Sequence, residues 1–416
     1  MFKKLGVLFV LAAVVLGGVT SVGPRATAQD DEFLFGVVLV GPKDDRGWSQ
    51  AHYDAGLYVQ EKVPGARMIP LESLNSAARP ETTLDQVVED MVAQGAKLIL
   101  TTSADFEVDT SVVAEFYPDV TFVNISGDDA LWGIAPPNVG NIMGQMEYGK
   151  MIAGCAAALK TQTGKLGYVG PLIDPETIRL TNSVYLGARY CYENYRGLDP
   201  DTLQFQVTWI GFWFNIPGVT LDPTEVANSM LDSGVDVLIS GIDTTEAIVV
   251  AGQRAAEGAA VWAIPYDYEG ACEEAPDICL GVPYFNWGPA YADLVTKVKE
   301  GTYEASWEWN GPDWDNINNP DTTAVGYVYG DGLTDDEKAT LDEFIAALAA
   351  GAKGEEGGLN LFVGPLNFQD GTVFLEEGEV ATEKQIWYMA ANADEATTPE
   401  EVNPPQLLEG VQGASQ

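Results

Sequence analysis

An α/β fold of two lobes, each built on a parallel sheet, is predicted by three features of the sequence. Short apolar runs alternate with amphipathic helical patterns from residue 33 to residue 264. The alternation is interrupted at 135–138 and then restarts, which indicates two comparable halves. Removal of residues 1–28 would leave 388 residues, enough for two ordinary domains. Because repeated strand–helix–strand units form right-handed crossovers, we expect the sheets to be parallel.

In the first half the apolar runs predict four strands, separated by three helices. The strands are predicted at 33–40, 66–70, 97–102 and 121–125, and the helices at 48–63, 80–93 and 110–117. The second half repeats this pattern. Its strands are predicted at 164–169, 204–209, 235–240 and 261–264, and its helices at 148–159, 178–194, 224–234 and 244–257.

The periodicity weakens after residue 301. A helix is predicted over 334–350, because Thr334 and Glu337 form a capping box at its start. Residues 351–358 are rich in Gly and Glu and are expected to form a surface loop, and the polar segment after Glu395 is expected to be loosely ordered.

Residues 1–28 have the pattern of a secretory signal peptide. Lys3 and Lys4 form a positive start, residues 5–19 are apolar apart from glycines, and 26–28 is a small-x-small cleavage site. A retained membrane anchor is the alternative, but the apolar run is shorter than the roughly 20 residues of a typical span. We therefore expect an exported protein. No cysteine lies near the cleavage site to support a lipid anchor.

The net charge of −41 becomes −44 after removal of the signal peptide. Such a charge argues against nucleic acid and anionic lipid as partners, because both require a basic surface. A solvated acidic shell, suited to salty surroundings, is the simplest interpretation. Calcium binding near Asp313, Asp315 and Asp321 is a weaker alternative, since Ile317 stands where an EF-hand loop would need a ligand.

Four cysteines and one histidine limit the chemistry. In an exported protein an even number of cysteines favours disulfides. Cys272 and Cys279 bracket a short acidic loop, so we expect them to pair, and Cys155 then pairs with Cys191. The spacings do not fit a zinc site, His52 is the single histidine, and no serine lies in a Gly-x-Ser-x-Gly motif. We predict no catalytic residue, no metal and no cofactor.

The segments that follow the predicted strands are the candidate ligand site, since ligands of parallel α/β sheets bind beyond the carboxyl ends of the strands. These segments are 41–50, 101–106, 126–129, 211–215, 241–245 and 265–268. They are rich in aromatic rings, carboxylates, hydroxyls and glycines. This composition suits a flat heteroaromatic ligand, which stacks on rings while its N–H groups donate to carboxylates.

Several of these segments resemble the basic membrane protein family of ABC transporter substrate-binding proteins. Residues 41–56 contain the Asp-x-Gly-aromatic motif that starts the first cleft helix in that family. Further similar segments are 101–106, 164–170, 182–189, 232–237 and 362–371. The resemblance extends from about residue 34 to residue 393, nearly the whole chain that remains after the signal peptide.

The resemblance implies a type I periplasmic-binding fold, in which two hinged lobes close over a cleft. It implies a purine nucleobase or nucleoside as ligand and ABC permease and ATPase subunits as partners, and we expect a monomer. On this basis residues 31–130 and about 265–300 would form the N-terminal lobe. Residues from about 131 to 264 and from about 301 to 393 would form the C-terminal lobe, followed by a polar tail at 394–416.

Six residues match the family's binding positions. They are Asp45, Trp48, Phe106, Trp213, Asp243 and Asp267. Trp48 stands where the nucleoside receptors have phenylalanine, which is similar to a base-binding branch and weakens the argument that a ribose is recognised. The family's lipid-attachment cysteine is missing, which puts membrane tethering in doubt.

Several of these positions also have a structural interpretation, although Asp267 has no evident capping role. Asp45 and Asp243 could cap helices, and Phe106 could pack its own loop. Only one residue of 212–214 need face the cleft, and His52 is expected to be a structural helix residue. Two other functions are weighed against a binding protein: a secreted nucleosidase, which lacks a concentrated motif here, and a sensor domain that acts through a separate signalling partner.

Overall fold

Two parallel sheets organise the computed structural model, which describes residues 32–415. The predicted signal peptide, residues 1–28, lies outside the described residues. The strands are β1 (Phe33–Leu39), β2 (Ala66–Leu71), β3 (Ala96–Thr102), β4 (Thr121–Ile125), β5 (Val139–Gly144), β6 (Lys165–Gly170), β7 (Gln204–Trp209), β8 (Val237–Ser240), β9 (Trp262–Ile264), β10 (Gly281–Phe285), β11 (Trp307–Asn310), β12 (Val325–Tyr329), β13 (Leu366–Asn367), β14 (Val373–Leu375) and β15 (Val411–Gln412). The helices are α1 (Trp48–Lys62), α2 (Leu84–Ala93), α3 (Glu107–Ala114), α4 (Asp129–Trp132), α5 (Met146–Lys160), α6 (Pro175–Asn194), α7 (Pro223–Asp232), α8 (Glu246–Ala256), α9 (Gly288–Glu300), α10 (Asp335–Ala352) and α11 (Glu383–Tyr388).

The first sheet has six strands in the order β2-β1-β3-β4-β5-β11, and the second has five in the order β15-β7-β6-β8-β9. Every pairing within these two sheets is parallel. The predicted α/β fold with parallel sheets is therefore confirmed. In each sheet the strand order reverses beside the first strand of the half, β1 or β6. Crevices at such reversal points are where doubly wound sheets bind ligands.

Burial explains why these segments form strands in the middle of the sheets. All seven residues of β1 are buried, because helices cover both faces of the sheet and both sets of alternating side chains are apolar. In the central strands, every residue of β8 and all but the first residue of β4 are also buried. Each sheet therefore has its own apolar core.

Helices α5 and α6 pack against each other at unusually close range in the second lobe. A Cβ atom on Gly154 would lie 2.0 Å from the Val184 carbonyl oxygen, and one on Gly187 would lie 2.0 Å from that of Met151. The Cys155–Cys191 disulfide joins the same two helices, with the Cα atoms 5.2 Å apart. Cys272 and Cys279 form the other disulfide, so both pairings agree with the sequence prediction.

The chain passes between the two sheets three times. It leaves the first sheet after β5, returns through β10 to α9, which packs on α1, and leaves again after β11. Strands β10 and β12 pair antiparallel between the lobes. Sheet membership places 139–144 and 307–310 with the first lobe, whereas the predicted division gave both segments to the second. Weak periodicity after residue 301 concealed the short edge strand β11.

The C-terminal segment is ordered, which corrects the expectation of a loose polar tail. Strand β15 pairs with β7 and completes the second sheet at its edge. Leu407, Leu408 and Val411 are buried in the core of that lobe. These apolar residues are few and separated by polar ones, so the overall composition of the segment concealed them. Within residues 32–415, no helix combines the length and apolar character required to cross a bilayer.

The packing of this segment predicts a stability effect. Leu408→Ala should destabilise the protein by about 2–5 kcal/mol, because the substitution removes a fully buried side chain and leaves a cavity. Leu57→Ala is the matched control, since Leu57 is 43% exposed, and should cost under about 1 kcal/mol. Urea unfolding followed by circular dichroism measures both values, and equal values would contradict the ordered C-terminal segment.

Candidate functional site

A cavity lies between the two sheets, at the carboxyl ends of their strands. Its free volume for a water-sized molecule is about 20 Å³, so in this closed state the surrounding side chains nearly fill it. Each lining residue ends a strand or lies in the segment after one. The lining residues are Val40, Trp48, Ser103, Ala104, Ser126, Glu176, Trp213, Asp243 and Tyr266.

Trp48 forms the first-lobe wall of the cavity and is held in one orientation. It begins α1, and its indole Nε1 donates a hydrogen bond of 2.7 Å to the Thr102 carbonyl at the end of β3. Its ring makes edge contacts with Phe285, Trp287 and His52, at centroid distances of 5.4, 5.6 and 4.5 Å. The indole can therefore offer a fixed apolar surface to a ligand.

His52 supports Trp48 from behind and does not line the cavity. It is fully buried, its Nδ1 lies 2.7 Å from the Tyr291 hydroxyl, and its ring stacks on Trp287. Burial lowers the pKa of His52 well below its usual range, so the ring is neutral. The expectation of a structural helix residue agrees with this environment.

Asp45 organises the turn before α1. Its carboxylate accepts hydrogen bonds from the backbone N–H groups of Gly47, Ser49 and Gln50, at 2.9, 3.0 and 2.9 Å. Burial raises the pKa of Asp45 to about 6, although these hydrogen bonds oppose the shift. Of the two roles that the sequence allowed, the capping role is the one seen here.

Trp213 and Asp243 form the second-lobe wall. Trp213 lies in the segment after β7, and its carbonyl accepts a 3.0 Å hydrogen bond from the Asp243 backbone N–H. Phe212 and Phe214 contact each other edge to face at 5.0 Å, so Trp213 is the one aromatic residue of the three that lines the cavity. Asp243 does not cap α8, which begins at Glu246 after the N-cap Thr245.

Buried carboxyl groups gather behind this wall. Asp267 is fully buried, lies in the left-handed region at φ 71°, and neither of its side-chain oxygens has a hydrogen-bond partner. Burial raises the pKa of Asp243 and that of Asp267 well above the usual range, and the charges of neighbouring carboxylates raise them further. Burial also raises the pKa of Glu176, which accepts a hydrogen bond from the Ser126 hydroxyl.

Lys150 is the buried cation that faces these acids. It is fully buried in α5, donates to the Ser240 carbonyl at 2.9 Å, and lies 3.1 Å from the centroid of the Tyr266 ring. Burial lowers the pKa of Lys150 to about 7, while Asp267 and Glu176 oppose the shift. The Lys150 amine alone cannot neutralise the charge of Asp243, Asp267 and Glu176. The site therefore favours a ligand that donates hydrogen bonds to these carboxyl groups.

The two walls touch directly, so the cleft is closed in this structure. A Cβ atom on Gly47 would lie 1.7 Å from the Asp243 carbonyl oxygen, which means that the two backbones are in contact. Ser126 of the first lobe bonds to Glu176 of the second. At the rim, the Arg46 guanidinium lies 3.0 Å from the Glu274 carboxylate.

The structure brings together most of the residues that the sequence singled out. Trp48, Trp213 and Asp243 line the cavity. Asp45 and Asp267 lie next to it, close enough for their charges to affect one another. Phe106 is buried in the first-lobe core and is not among the residues that line the closed cavity, so its role as a ligand contact stays a prediction beside the loop-packing alternative.

Sequence reasoning missed several residues of the site. Ser103, Ser126 and Tyr266 lay within the strand-end segments but were not singled out. Glu176 opens α6 six residues after β6 ends, and its position after a strand was the signal that could have found it. Lys150 is in the middle of a helix and carries no local signal of its role.

Solved structures with a similar fold include solute-binding proteins of ABC transporters. One from Conexibacter woesei has a TM-score of 0.56 at 20% identity, and covers 77% of this chain and 97% of its own. One from Aeropyrum pernix has a TM-score of 0.58 at 18% identity, and covers 79% of this chain and 83% of its own. Together with the two parallel sheets, these similarities show the type I periplasmic-binding fold.

Two curated proteins are similar in sequence. A purine-binding protein of Brucella abortus is 28% identical over 383 residues, which is 91% of this chain and 95% of that protein. A putative ABC transporter glucose-binding protein of Haloferax volcanii is 28% identical over 274 residues, which is 66% of this chain and 63% of that protein.

A family model also matches. Its description is Bmp, ABC transporter substrate-binding protein PnrA-like, and the match covers residues 34–311, more than half of the chain. Proteins of this family bind small molecules outside the cytoplasm and deliver them to the permease and ATPase subunits of an importer. The chain belongs to the PnrA-like family of ABC transporter substrate-binding proteins.

Proposed function

We propose that this protein binds a purine nucleobase or nucleoside in the cavity between its lobes and delivers it to an ABC importer. The main observation is that two indole rings, of Trp48 and Trp213, line the cavity between the lobes, whose wall also includes Asp243 and Glu176. Planar aromatic ligands stack on indoles, and a contact of this kind contributes about 1–3 kcal/mol per base.

The buried carboxyl groups support a ligand rich in N–H donors. Asp267 has two oxygens without a partner, and the raised pKa values of Asp243 and Asp267 reflect acids that burial has deprived of water. N–H groups of a purine ring can donate to such oxygens without bringing a full charge into the cavity. The similarity to a purine-binding protein over 91% of the chain agrees with this ligand class.

The proposal includes export, action as a monomer and the absence of catalysis. The pattern at residues 1–28 supports export. The absence of catalysis is proposed because the family is one of substrate-binding proteins.

Incubation of the protein with adenosine or inosine should release no free base. Chromatography of the mixture measures the free base, and its release would contradict the absence of catalysis.

Titration calorimetry with a ligand panel tests the proposed ligand class. Adenine, hypoxanthine, adenosine, inosine, guanosine and glucose should be compared under identical conditions. We expect saturable binding of at least one purine at micromolar or tighter Kd, since two stacked rings and several buried hydrogen bonds can supply about 8 kcal/mol. Binding of glucose without any purine would overturn the proposal and favour the ligand named for the Haloferax relative.

Trp213→Ala should weaken purine binding tenfold or more, about 1.4 kcal/mol, because it removes one of the two indoles from the cavity. Phe212→Ala is the matched control, since Phe212 lies in the same segment but does not line the cavity, and should change Kd by less than about threefold. Calorimetry on the purine bound by the unsubstituted protein measures both. Equal effects would remove Trp213 from the site.

Gly47→Ala should also weaken purine binding, by about tenfold or more, because a methyl group would collide with the Asp243 carbonyl and keep the lobes apart. Asp44→Ala in the same turn is the control, since Asp44 is exposed. The melting temperature without ligand should stay close to that of the unsubstituted protein. Undiminished affinity in Gly47→Ala would mean that the bound state does not require this backbone contact.

A further inference from the structure

A second cavity lies outside the cleft, between α5, α10, α11 and strand β11. Its free volume for water-sized molecules is about 210 Å³. The cavity lies beside two places where the chain passes between the lobes, after β5 and after β11. Gln145 follows β5, and its backbone N–H donates a 2.8 Å hydrogen bond to the carbonyl of Asn310, the last residue of β11. None of its lining residues lines the first cavity.

Most of the wall of the second cavity is apolar. Met151, Leu348 and Phe362 are buried, and Leu361 and Ile386 are half-buried beside them. The mouth includes Ala352, which is exposed at the end of α10. A wall of this kind holds the hydrocarbon part of a ligand, because the hydrophobic effect favours its removal from water.

Two polar atoms of lining residues are buried and have no partner. Glu147 is 4% exposed, one of its oxygens pairs with Arg179, and its Oε2 has no hydrogen-bond partner. The Trp309 indole Nε1 also has none. A buried donor or acceptor without a partner costs about 1–3 kcal/mol, so both atoms favour a molecule that can satisfy them.

Arg179 brings these two atoms to the same part of the cavity wall. Its guanidinium pairs with Glu147, donates to the Trp387 carbonyl at 2.6 Å, and lies 5.5 Å from the centroid of the Trp309 ring. The Glu147 carboxylate and the Arg179 guanidinium already offset each other's charge in part, and Arg179 also acts on Glu176. A charged ligand would disturb that balance and lose its own hydration, so a neutral ligand fits better.

We propose that the second cavity is a binding site for a small neutral molecule with an apolar body and a primary amide or similar end group. The end group donates to Glu147 Oε2 and accepts from Trp309 Nε1–H, while the body packs on the leucine and phenylalanine side chains. This site is separate from the cleft, and the proposal does not depend on which ligand the cleft binds.

Benzamide is a suitable probe, because it has a phenyl ring and one primary amide. The protein, labelled with ¹⁵N at its tryptophan indoles and free of cleft ligand, is titrated with benzamide, and Trp309→Phe identifies the Trp309 indole resonance. We expect that resonance to shift saturably with a Kd of roughly millimolar order, as suits a ligand of this size. Toluene, which lacks the polar end, should bind at least about threefold more weakly.

Substitutions at the mouth provide the matched comparison. Ala352→Leu and Ala381→Leu fill the cavity from two sides and should each weaken benzamide binding tenfold or more. Ala346→Leu adds the same group to an exposed, non-lining position of α10 and should leave the Kd unchanged. Absence of a saturable shift, or equal affinity in all three variants, would overturn the site. Equal affinity for toluene would overturn the role given to Glu147 and Trp309.

Discussion

Burial of carboxyl groups between the two sheets is the constraint on which the functional site depends. Asp243 and Asp267 are almost completely removed from water, and neither oxygen of Asp267 finds a donor. A buried carboxylate without hydrogen-bond donors is costly in free energy. These groups must therefore be protonated or accept hydrogen bonds from another molecule. Lys150 supplies one positive charge and is itself weakened by burial. Carboxyl oxygens of the site therefore lack hydrogen-bond partners until a ligand with several donors binds.

Closure of the lobes creates this constraint. The contact of Gly47 with the Asp243 backbone and the bond of Ser126 to Glu176 exist only when the lobes meet. Separation of the lobes would return the acids to water and lower their pKa values. Closing an empty cleft is therefore costly, whereas a ligand that satisfies the acids offsets this cost. Ligand binding and closure are coupled because the same groups decide both.

The sequence predicted what depends on local patterns. Alternating strands and helices predicted the parallel sheets, the segments after the strands predicted the region of the site, and the resemblance to the family singled out Trp48, Trp213 and Asp243. It did not predict β11 or β15, because an edge strand of two to four residues is stabilised by pairing with distant residues rather than by its own pattern. Lys150 was missed for a related reason, and the orientation of Phe106 could not be deduced from its own segment. Whether a side chain turns to a cleft or to a core is decided by tertiary packing.

Helix α6 links the two cavities electrostatically. It carries Glu176, which lines the first cavity, and Arg179, which pairs with Glu147 of the second. Arg179 lowers the pKa of Glu176, whereas Glu147 raises it. A hydrogen bond donated to Glu147 would stabilise the negative charge of Glu147. That charge opposes the effect of the Arg179 guanidinium on the Glu176 carboxylate. The protonation of Glu176 therefore depends on Glu147, which lies outside the cleft. The protonation of Glu176 in turn decides whether a ligand in the cleft must donate a hydrogen bond to it.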